Sequence, residues 1–391
     1  MRPFVHSRPG AVLLALAVVL AARPASARAQ QSTTDQTELF AAVDSMAAAA
    51  YATDSIASIT VGIVEGTRLV WTHSYGYADI GAHRLANRNT VYRIGSITKP
   101  FTAVMLMQLA EAGKVHLSDP VQEYLPEVRE IQDLPPGAKP FTFMQLATMT
   151  AGLAREPKQE GPFWTGSVAT WQQTLLSALP HTTYIFPPGT KYSYSNIGYA
   201  ILGAALSRIA GVPYVTWERT HVFAPLGMNH TRFEIDSTIA GDVARGYTVG
   251  RNGVPSDSIP DREAREGRGY KVPNGAIFTT VDDLSRFVSF EMDNGPESVL
   301  PHARLDSAFN GVVESSAFLT AGYGLGFMAQ RNANFSWTGH TGSVAGYEAA
   351  MFFVRQAETG VIVFRNATGG RVNPGHLASA ILERVVRAQF H

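Results

Sequence analysis

The hydrophobic pattern changes its period several times along the chain. In residues 39–50 the apolar side chains recur at helical spacing, which predicts an amphipathic helix. Residues 59–64 and 69–77 are instead rich in β-branched and aromatic side chains, and the four residues between them are typical of a turn. This part of the sequence therefore predicts a helix followed by a β-hairpin.

The next segment predicts a buried helix from about residue 98 to 112. Its residues are apolar on most sides, and Pro100 stands at a favourable early position. From 119 to 273 short helical patterns alternate with breaks rich in proline and glycine, which predicts a mainly helical lobe. The Gly-rich and charge-rich residues 251–271 are interpreted as a solvated loop.

Strand-like runs return near the end of the chain, followed by a final helix at about 375–387. The runs cover residues 323–328, 335–340, 347–354 and 360–366. Strands at both ends with helices between them favour one discontinuous α/β lobe, of the α+β kind, at about 39–112 and 274–391. The helical lobe, about 113–273, would be inserted into it, so that residues 30–391 form a single domain.

The first 29 residues have the features of a signal peptide. Arg2 and Arg8 precede an apolar run at 11–22, and Ala27-Arg28-Ala29 forms a cleavage pattern. The run is shorter than the roughly 20 residues that span a bilayer, which disfavours an uncleaved anchor. We therefore expect a secreted or periplasmic protein with no stable membrane span after cleavage.

Composition narrows the possible functions. The 391 residues are 45% hydrophobic, and 32 Lys and Arg balance 32 Asp and Glu, so no net field attracts nucleic acid. The absence of cysteine removes disulfides, thiol nucleophiles and thiolate metal sites. A small-molecule or peptide substrate fits this composition better than a nucleic-acid partner.

The first candidate motif is Ser96-Ile97-Thr98-Lys99. On a helix, side chains three residues apart share a face, with Cβ atoms about 5 to 6 Å apart. A lysine can activate a serine hydroxyl only when burial or a nearby cation lowers its pKa, and the apolar helix would supply that burial. Alone, the spacing is equally compatible with an exposed helix.

The second motif is Tyr194-Ser195-Asn196, just before an apolar helix predicted from about 198 to 209. A tyrosine beside a lysine could be held partly as phenolate and shuttle protons, and an asparagine amide both donates and accepts. The alternative is that Asn196 caps the helix and Tyr194 only packs.

The third motif is His340-Thr341-Gly342, between two predicted strands. A strand glycine often marks a close approach by backbone or ligand. An edge strand here could bind an extended substrate, and the backbone N–H of Ser343 could join that of Ser96 in an oxyanion hole. A purely structural histidine is the alternative.

Together these motifs resemble the Ser-x-x-Lys, Tyr-x-Asn and Lys/His-Thr-Gly elements of the penicillin-recognising serine hydrolases. The similarity is to the branch that holds class C β-lactamases, D-Ala-D-Ala carboxypeptidases, D-aminopeptidases and family VIII esterases. Flanking blocks match as well, at residues 113–121, 223–228 and 274–284. The resemblance implies an antiparallel sheet flanked by helices, a helical lobe, and a site in the cleft between them.

The resemblance also implies a role for each motif residue. Ser96 would be acylated, while Lys99 and Tyr194 would manage protons, with either of them as the main base. Asn196 would contact the substrate amide, and His340, Thr341 and Gly342 would line the opposite wall. No metal or organic cofactor is implied, and the chain lacks the His-Glu-x-x-His and Gly-x-Ser-x-Gly motifs of other hydrolase classes.

Two positions depart from the family pattern. Class C β-lactamases usually carry lysine where this chain has His340, whose ordinary pKa near 6.5 would make attraction for a substrate carboxylate pH-dependent. Met149 replaces a polar residue of the relatives, with no expected effect on the chemistry. We therefore favour a D-amino-acid peptidase or esterase, with a class C-like β-lactamase and a non-catalytic penicillin- or peptide-binding module as the alternatives.

Overall fold

The computed structural model describes residues 25–158, 161–250, 253–303, 305, 313–314, 321–331 and 336–389. The predicted signal peptide falls mostly outside these residues, as does the first residue of the predicted strand 335–340. The chain divides into two compact units, residues 1–41 and 42–391. In the first unit residues 25–41 are described and are helical; the strands and motif residues belong to the second.

The described helices and strands follow the predicted order. The α-helices are α1 (Ala25–Ala52), α2 (Thr98–Glu111), α3 (Phe143–Ala147), α4 (Trp171–Ala178), α5 (Asn196–Ala210), α6 (Tyr214–Glu218), α7 (Ser258–Glu266), α8 (Val272–Gly275), α9 (Val281–Ser289) and α10 (Pro374–Gln389). The strands are β1 (Ser58–Glu65), β2 (Arg68–Asp79), β3 (Arg84–Leu85), β4 (Tyr92–Arg93), β5 (Tyr247–Val249), β6 (Pro255–Ser256), β7 (Phe278–Thr279), β8 (Val313–Glu314), β9 (Ala321–Tyr323), β10 (Met328–Arg331), β11 (Ser336–Val344), β12 (Tyr347–Val354), β13 (Thr359–Arg365) and β14 (Ala367–Thr368).

The main sheet joins the two ends of the chain. Its strand order is β3-β2-β1-β13-β12-β11-β10-β9-β8, and every neighbouring pair is antiparallel. Strand β1 lies between its hairpin partner β2 and the distant β13, with Ile59 opposite Arg365. This pairing explains why strand patterns occur at both ends of the sequence, and it confirms the α/β fold with an antiparallel sheet.

Helices cover the sheet and surround α2. Helix α9 packs against β1, β2 and β13, while α10 packs against β12 and β13. Helix α2 is buried along almost its whole length, and its Phe101 stacks on Phe287 of α9 with ring centroids 3.8 Å apart. The prediction of an internal helix at about 98–112 is confirmed. No single described helix is both long and apolar enough to cross a bilayer, although the bent pair Asn196–Ala210 and Tyr214–Phe223 meets those limits when joined.

Two segment predictions were wrong. The run 323–328 is not one strand, because Tyr323 ends β9 and Met328 begins β10. Residues 324–327 form the turn between them, where the Gly324 N–H donates to the Phe327 carbonyl and Gly326 has a φ of 82°. The run resembles a strand because Tyr323 and Phe327 are both buried aromatic residues.

The supposed solvated loop at 251–271 contains helix α7. Its first turn carries Asp261 and its last turn Arg265, charges that favour a helix dipole. Glu263 forms ion pairs with two largely buried arginines, Arg93 at 2.9 Å and Arg268 at 2.7 Å. The charges of this segment therefore pair within the protein.

Candidate active site

Ser96 lies in a short 3-10 turn, Gly95–Ile97, that leads directly into α2. Gly95 has a φ of 51°, a conformation that costs glycine little, and the turn directs the following helix into the core. Ser96 is partly exposed, whereas its neighbours on either side are buried. The hydroxyl is therefore accessible although its helix is internal.

Lys99 lies one turn further along and is completely buried. Its Nζ lies 3.0 Å from Ser96 Oγ, 2.8 Å from Asn196 Oδ1 and 3.1 Å from the Asn274 carbonyl oxygen. The side chains of Ser96, Lys99 and Asn196, which the sequence places in separate motifs, are thus brought together around one amine.

These partners suit a neutral amine. A neutral amine has two hydrogens and one lone pair; the hydrogens can donate to the carbonyl oxygens of Asn196 and Asn274, leaving the lone pair to accept from the Ser96 hydroxyl. Burial lowers the pKa of Lys99 well below its ordinary value, an effect that Glu156 partly opposes and that Arg155, Arg268 and Lys271 reinforce. The site therefore favours the form of lysine that can take a proton.

Ser195, and not Asn196, caps helix α5. The Ser195 hydroxyl accepts from the Gly198 N–H at 3.0 Å, and Asn196 is the first helical residue. The Asn196 amide is consequently free for other partners. Its Oδ1 accepts from Lys99, and its Nδ2 donates to Glu156 Oε1 at 2.7 Å.

Tyr194 lies over Lys99, with its ring centroid 4.7 Å from Lys99 Nζ. Burial raises the pKa of Tyr194, although a hydrogen bond with Ser96 and the charge of Arg155 oppose this shift. The expectation of a partial phenolate was therefore wrong, because desolvation outweighs the neighbouring cations. Tyr194 remains a protonated phenol that can donate.

The third motif lies within β11 instead of between strands. A Cβ atom added to Gly342 would overlap the Ile94 carbonyl and lie 3.2 Å from the Ser96 nitrogen. A Cβ on Gly95 would lie 2.8 Å from the Ser343 nitrogen. The backbone N–H groups proposed for the oxyanion hole thus belong to two segments in direct contact.

Residues 340–344 also have an open side. Strand β10 pairs with β11 only as far as Gly339, while β12 pairs with it through Val344. On the β10 side, no described strand pairs with residues 340–344. The binding of an extended ligand along this edge stays a prediction.

His340 is buried and neutral. Its side chain is only 1% exposed, its Nδ1 contacts the Thr341 carbonyl, and its Nε2 lies 3.0 Å from the Tyr323 hydroxyl. Because a carbonyl can only accept, Nδ1 carries the proton and Nε2 accepts from Tyr323. Burial lowers the pKa of His340 to about 3, and repulsion from Lys99 when that amine is protonated adds to the shift. The expected cation that titrates near neutral pH was therefore wrong.

The predicted residues surround one cavity of about 610 Å³. Of the site residues predicted from the sequence, those that line it are Ser96, Tyr194, His340, Thr341, Gly342 and Ser343. Lys99 and Asn196 lie behind this lining. Two exposed cations, Arg155 and Arg371, also line the cavity, together with one carboxylate, Glu348.

Sequence reasoning missed several contributors. Asn274 supplies a carbonyl to Lys99, Tyr323 orients His340, and Glu156 accepts from Asn196. Asn274 opens the flanking block 274–284 that matches the family, which was the available signal for it. Nothing in the local sequence around Glu156 distinguished it from a surface residue.

Comparison with known proteins places the chain among relatives of similar sequence. A family model described as Beta-lactamase matches residues 43–385. Beta-lactamase-like protein 4 of Dictyostelium discoideum is 29% identical over 329 residues, covering 79% of this chain and 56% of that protein. A Beta-lactamase of Yersinia enterocolitica is 27% identical over 328 residues, covering 75% of this chain and 78% of that protein. The chain thus spans little more than half the length of the Dictyostelium relative.

Solved structures share the fold. The octameric penicillin-binding protein homologue from Pyrococcus abyssi is 24% identical with a TM-score of 0.75, covering 89% of this chain and 77% of that one. D-alanine Carboxypeptidase AmpC from Burkholderia cenocepacia is 20% identical with a TM-score of 0.72, covering 90% of this chain and 99% of that one. These similarities support the assignment of the fold.

Proposed function

The chain belongs to the beta-lactamase family of serine hydrolases, and from this membership we propose that it cleaves an amide or ester bond through an acyl-enzyme on Ser96. The observation that carries the proposal is the 3.0 Å separation of Lys99 Nζ and Ser96 Oγ. A buried amine with its lone pair directed at a hydroxyl is what activation of a serine requires.

Acylation would proceed by transfer of the Ser96 proton to Lys99 as Oγ bonds to the substrate carbonyl carbon. The resulting oxyanion would accept from the N–H groups of Ser96 and Ser343. As the bond to the leaving group breaks, the Tyr194 phenol would give its proton to the departing nitrogen or oxygen. Lys99 would then return a proton to Tyr194, so that both groups recover their starting state.

Deacylation would use water as the nucleophile. Lys99 would take a proton from the water as its oxygen bonds to the ester carbon, and Tyr194 would give its proton to Ser96 Oγ as the bond between that oxygen and the acyl carbon breaks. Lys99 would then return a proton to Tyr194, so that both groups again recover their starting state. Lys99 serves as the base and Tyr194 as the acid in this scheme. The raised pKa of Tyr194 and the lowered pKa of Lys99 support this division of roles.

We infer a substrate with a carboxylate, which favours a D-amino-acid peptidase, with a broad esterase as the next candidate. The two cations Arg155 and Arg371 outnumber the one carboxylate, Glu348, in the cavity lining, whereas His340 is neutral. The unpaired side of residues 340–344 offers backbone groups to an extended peptide. A cleaved signal peptide and a secreted or periplasmic location belong to the same proposal, since D-amino-acid peptides occur outside the cytoplasm.

The test is covalent labelling of the purified protein with a fluorescent penicillin and a fluorescent phosphonate. We expect labelling of the wild type and none of Ser96→Ala. Ser177→Ala, on the exposed side of α4, is the matched control and should label normally. Labelling that persists in Ser96→Ala would contradict the assigned nucleophile, and no adduct in the wild type would favour a non-catalytic binding module.

Turnover then ranks the substrate classes. Rates would be compared for a D-Ala-D-Ala peptide, a short nitrophenyl ester and a chromogenic cephalosporin. The peptide should be the best substrate, and Arg371→Ala should raise its KM with less effect on the uncharged ester. Fastest turnover of the cephalosporin would instead identify a β-lactamase.

A further inference from the structure

Glu156 lies on the far side of Asn196 from the catalytic lysine. Its Oε1 accepts from Asn196 Nδ2 at 2.7 Å, and its Oε2 accepts from the hydroxyl of the fully buried Tyr270. Lys271 Nζ lies 4.0 Å from Oε1. The carboxylate is therefore held in place by hydrogen bonds and by charge.

The backbone reinforces this position. The Arg155 carbonyl accepts from the N–H of Asn196 at 2.9 Å. Asn196 is therefore bound by the Arg155 carbonyl through its backbone and by the Glu156 carboxylate through its side chain. In addition, Asn274 Nδ2 donates to the Asn196 carbonyl at 2.9 Å. The amide group itself could still rotate by 180°, and only its hydrogen-bond partners determine which way it points.

A carboxylate can only accept, so Glu156 requires the NH₂ end of the Asn196 amide. The Oδ1 end must then face Lys99, whose amine is obliged to donate there. With a second hydrogen committed to the Asn274 carbonyl, the lone pair of Lys99 is left for Ser96. Each hydrogen bond from Glu156 to Ser96 therefore has one direction, because the carboxylate of Glu156 can only accept.

We propose that Glu156 is a positioning residue that fixes the Asn196 amide and thereby makes Lys99 present its lone pair to Ser96. The proposal rests on the function proposed above. It adds an electrostatic consequence, since the negative charge of Glu156 favours the protonated form of Lys99. Glu156 therefore improves geometry while making the lysine a slightly stronger base.

Other groups act on the same amine and must be held constant in a test. Those that face Lys99 or Glu156 are Arg155, Tyr194, Tyr199, Arg268, Tyr270, Lys271 and His340. Burial lowers the pKa of Lys271 to about 8, so this neighbour loses charge only on the alkaline side. The acid limb of a pH profile therefore reports on Lys99 while the charge of Lys271 stays constant.

The test compares phosphonate labelling rates of the full chain from pH 4 to 10 for wild type and Glu156→Gln. Glutamine has nearly the same shape, but it is neutral and can donate as well as accept. We expect the plateau rate to fall about tenfold, the equivalent of one weakened hydrogen bond to a charged group. The acid limb should move to lower pH, because Lys99 loses the charge that favours its protonation.

Glu266→Gln, an exposed change on α7, is the matched control and should reproduce the wild-type profile. If Glu156→Gln does not fold, Tyr270→Phe removes one hydrogen bond to the same carboxylate and should also slow labelling. A variant that folds and labels with the wild-type rate and acid limb would overturn this proposal alone. Failure of the wild type to label would instead overturn the proposed function.

Discussion

Gly342 of β11 and Ile94, two residues before Ser96, are packed backbone against backbone. Any side chain on Gly342 would overlap the Ile94 carbonyl, and Gly95 is restricted in the same way by Ser343. The two glycines allow the strand and the Ser96 turn to approach until their N–H groups can serve one oxyanion. The separation of these donors is therefore set by the absence of two side chains.

Gly342→Ala should consequently disable the site without unfolding the protein. The added methyl group must push β11 away from the Ser96 turn, and a displacement of about 1 Å at a catalytic group can cost about 100-fold in rate. We expect kcat/KM for a nitrophenyl ester to fall by about that factor. Gly241→Ala, where an added Cβ has no neighbour within 4 Å, is the control. An alanine variant with unchanged kcat/KM would show that the contact does not position the donors.

The pH profile tests the neutral state of His340. Since its pKa lies at about 3, the imidazole should remain uncharged from pH 5 to 8. His340→Gln should therefore leave the shape of kcat/KM against pH unchanged in this range, although the plateau falls as the contact with Tyr323 is altered. A limb near pH 6.5 that is present in the wild type and lost in the variant would contradict the buried, neutral assignment.

Much of this site was predictable from sequence because its chemistry is local. Ser96 and Lys99 are three residues apart, in a 3-10 turn and the first turn of the helix that follows it, and β12 was predicted with the bounds that the structure has. The hairpin and α2 were also recognised, since their hydrophobic patterns reflect burial directly. In such segments local pattern and tertiary environment agree.

The wrong predictions concern features that depend on tertiary contacts. The pKa values of His340 and Tyr194 depend on desolvation, which the sequence does not display. Helix α7 was missed because its charges indicated solvent, whereas Glu263 pairs with the distant, buried Arg93 and with Arg268 just beyond the helix. The role of Glu156 likewise depends on partners about 40 and 114 residues away.

The sequence analysis predicts no effect of Met149 on the chemistry, yet this residue supports the Tyr194 loop. It has a φ of 60°, which is unusual for methionine, and is 2% exposed. Its sulfur accepts from the Ser195 N–H at 3.3 Å, and its carbonyl accepts from the Ser193 N–H at 2.8 Å. Both neighbours of Tyr194 are thus bound to this one residue.

Met149→Leu and Met149→Ala should separate the sulfur contact from the packing. Leucine keeps the volume but leaves the buried Ser195 N–H without an acceptor, at a cost of about 1–3 kcal/mol. Alanine adds a cavity and should cost about 2–5 kcal/mol in total. Urea unfolding measures stability, and kcat/KM should fall severalfold in both variants as the Tyr194 loop loosens. Wild-type activity in Met149→Leu would show that the sulfur does not hold the loop.

Asp54 links the first strand region to the segment that lines the cavity. Its Oδ2 accepts from Arg365 Nη2 and from the Arg371 N–H, both at 2.9 Å. Arg365 is completely buried. Loss of the carboxylate would leave that guanidinium without its charged partner and would free the backbone of Arg371 beside the site.

Asp54→Asn should therefore destabilise the protein by about 3–5 kcal/mol at pH 7, the usual cost of breaking a buried ion pair. Burial alone would raise the pKa of Asp54, but the Arg371 N–H and the Arg365 charge lower it below the ordinary 3.8. A lowered folded-state pKa gives stability that is present above the unfolded pKa and lost as pH falls through the folded value. The wild type should thus lose stability as the pH falls below 4, and its difference in stability from Asp54→Asn should shrink there.

Urea unfolding at pH 7 and pH 3 measures both effects. The control is Asp133→Asn, at an exposed ion pair with Lys158, which should change the stability little. Equal destabilisation at the two pH values would mean that the variant acts through packing, because an ionic contribution must disappear when the carboxylate is protonated.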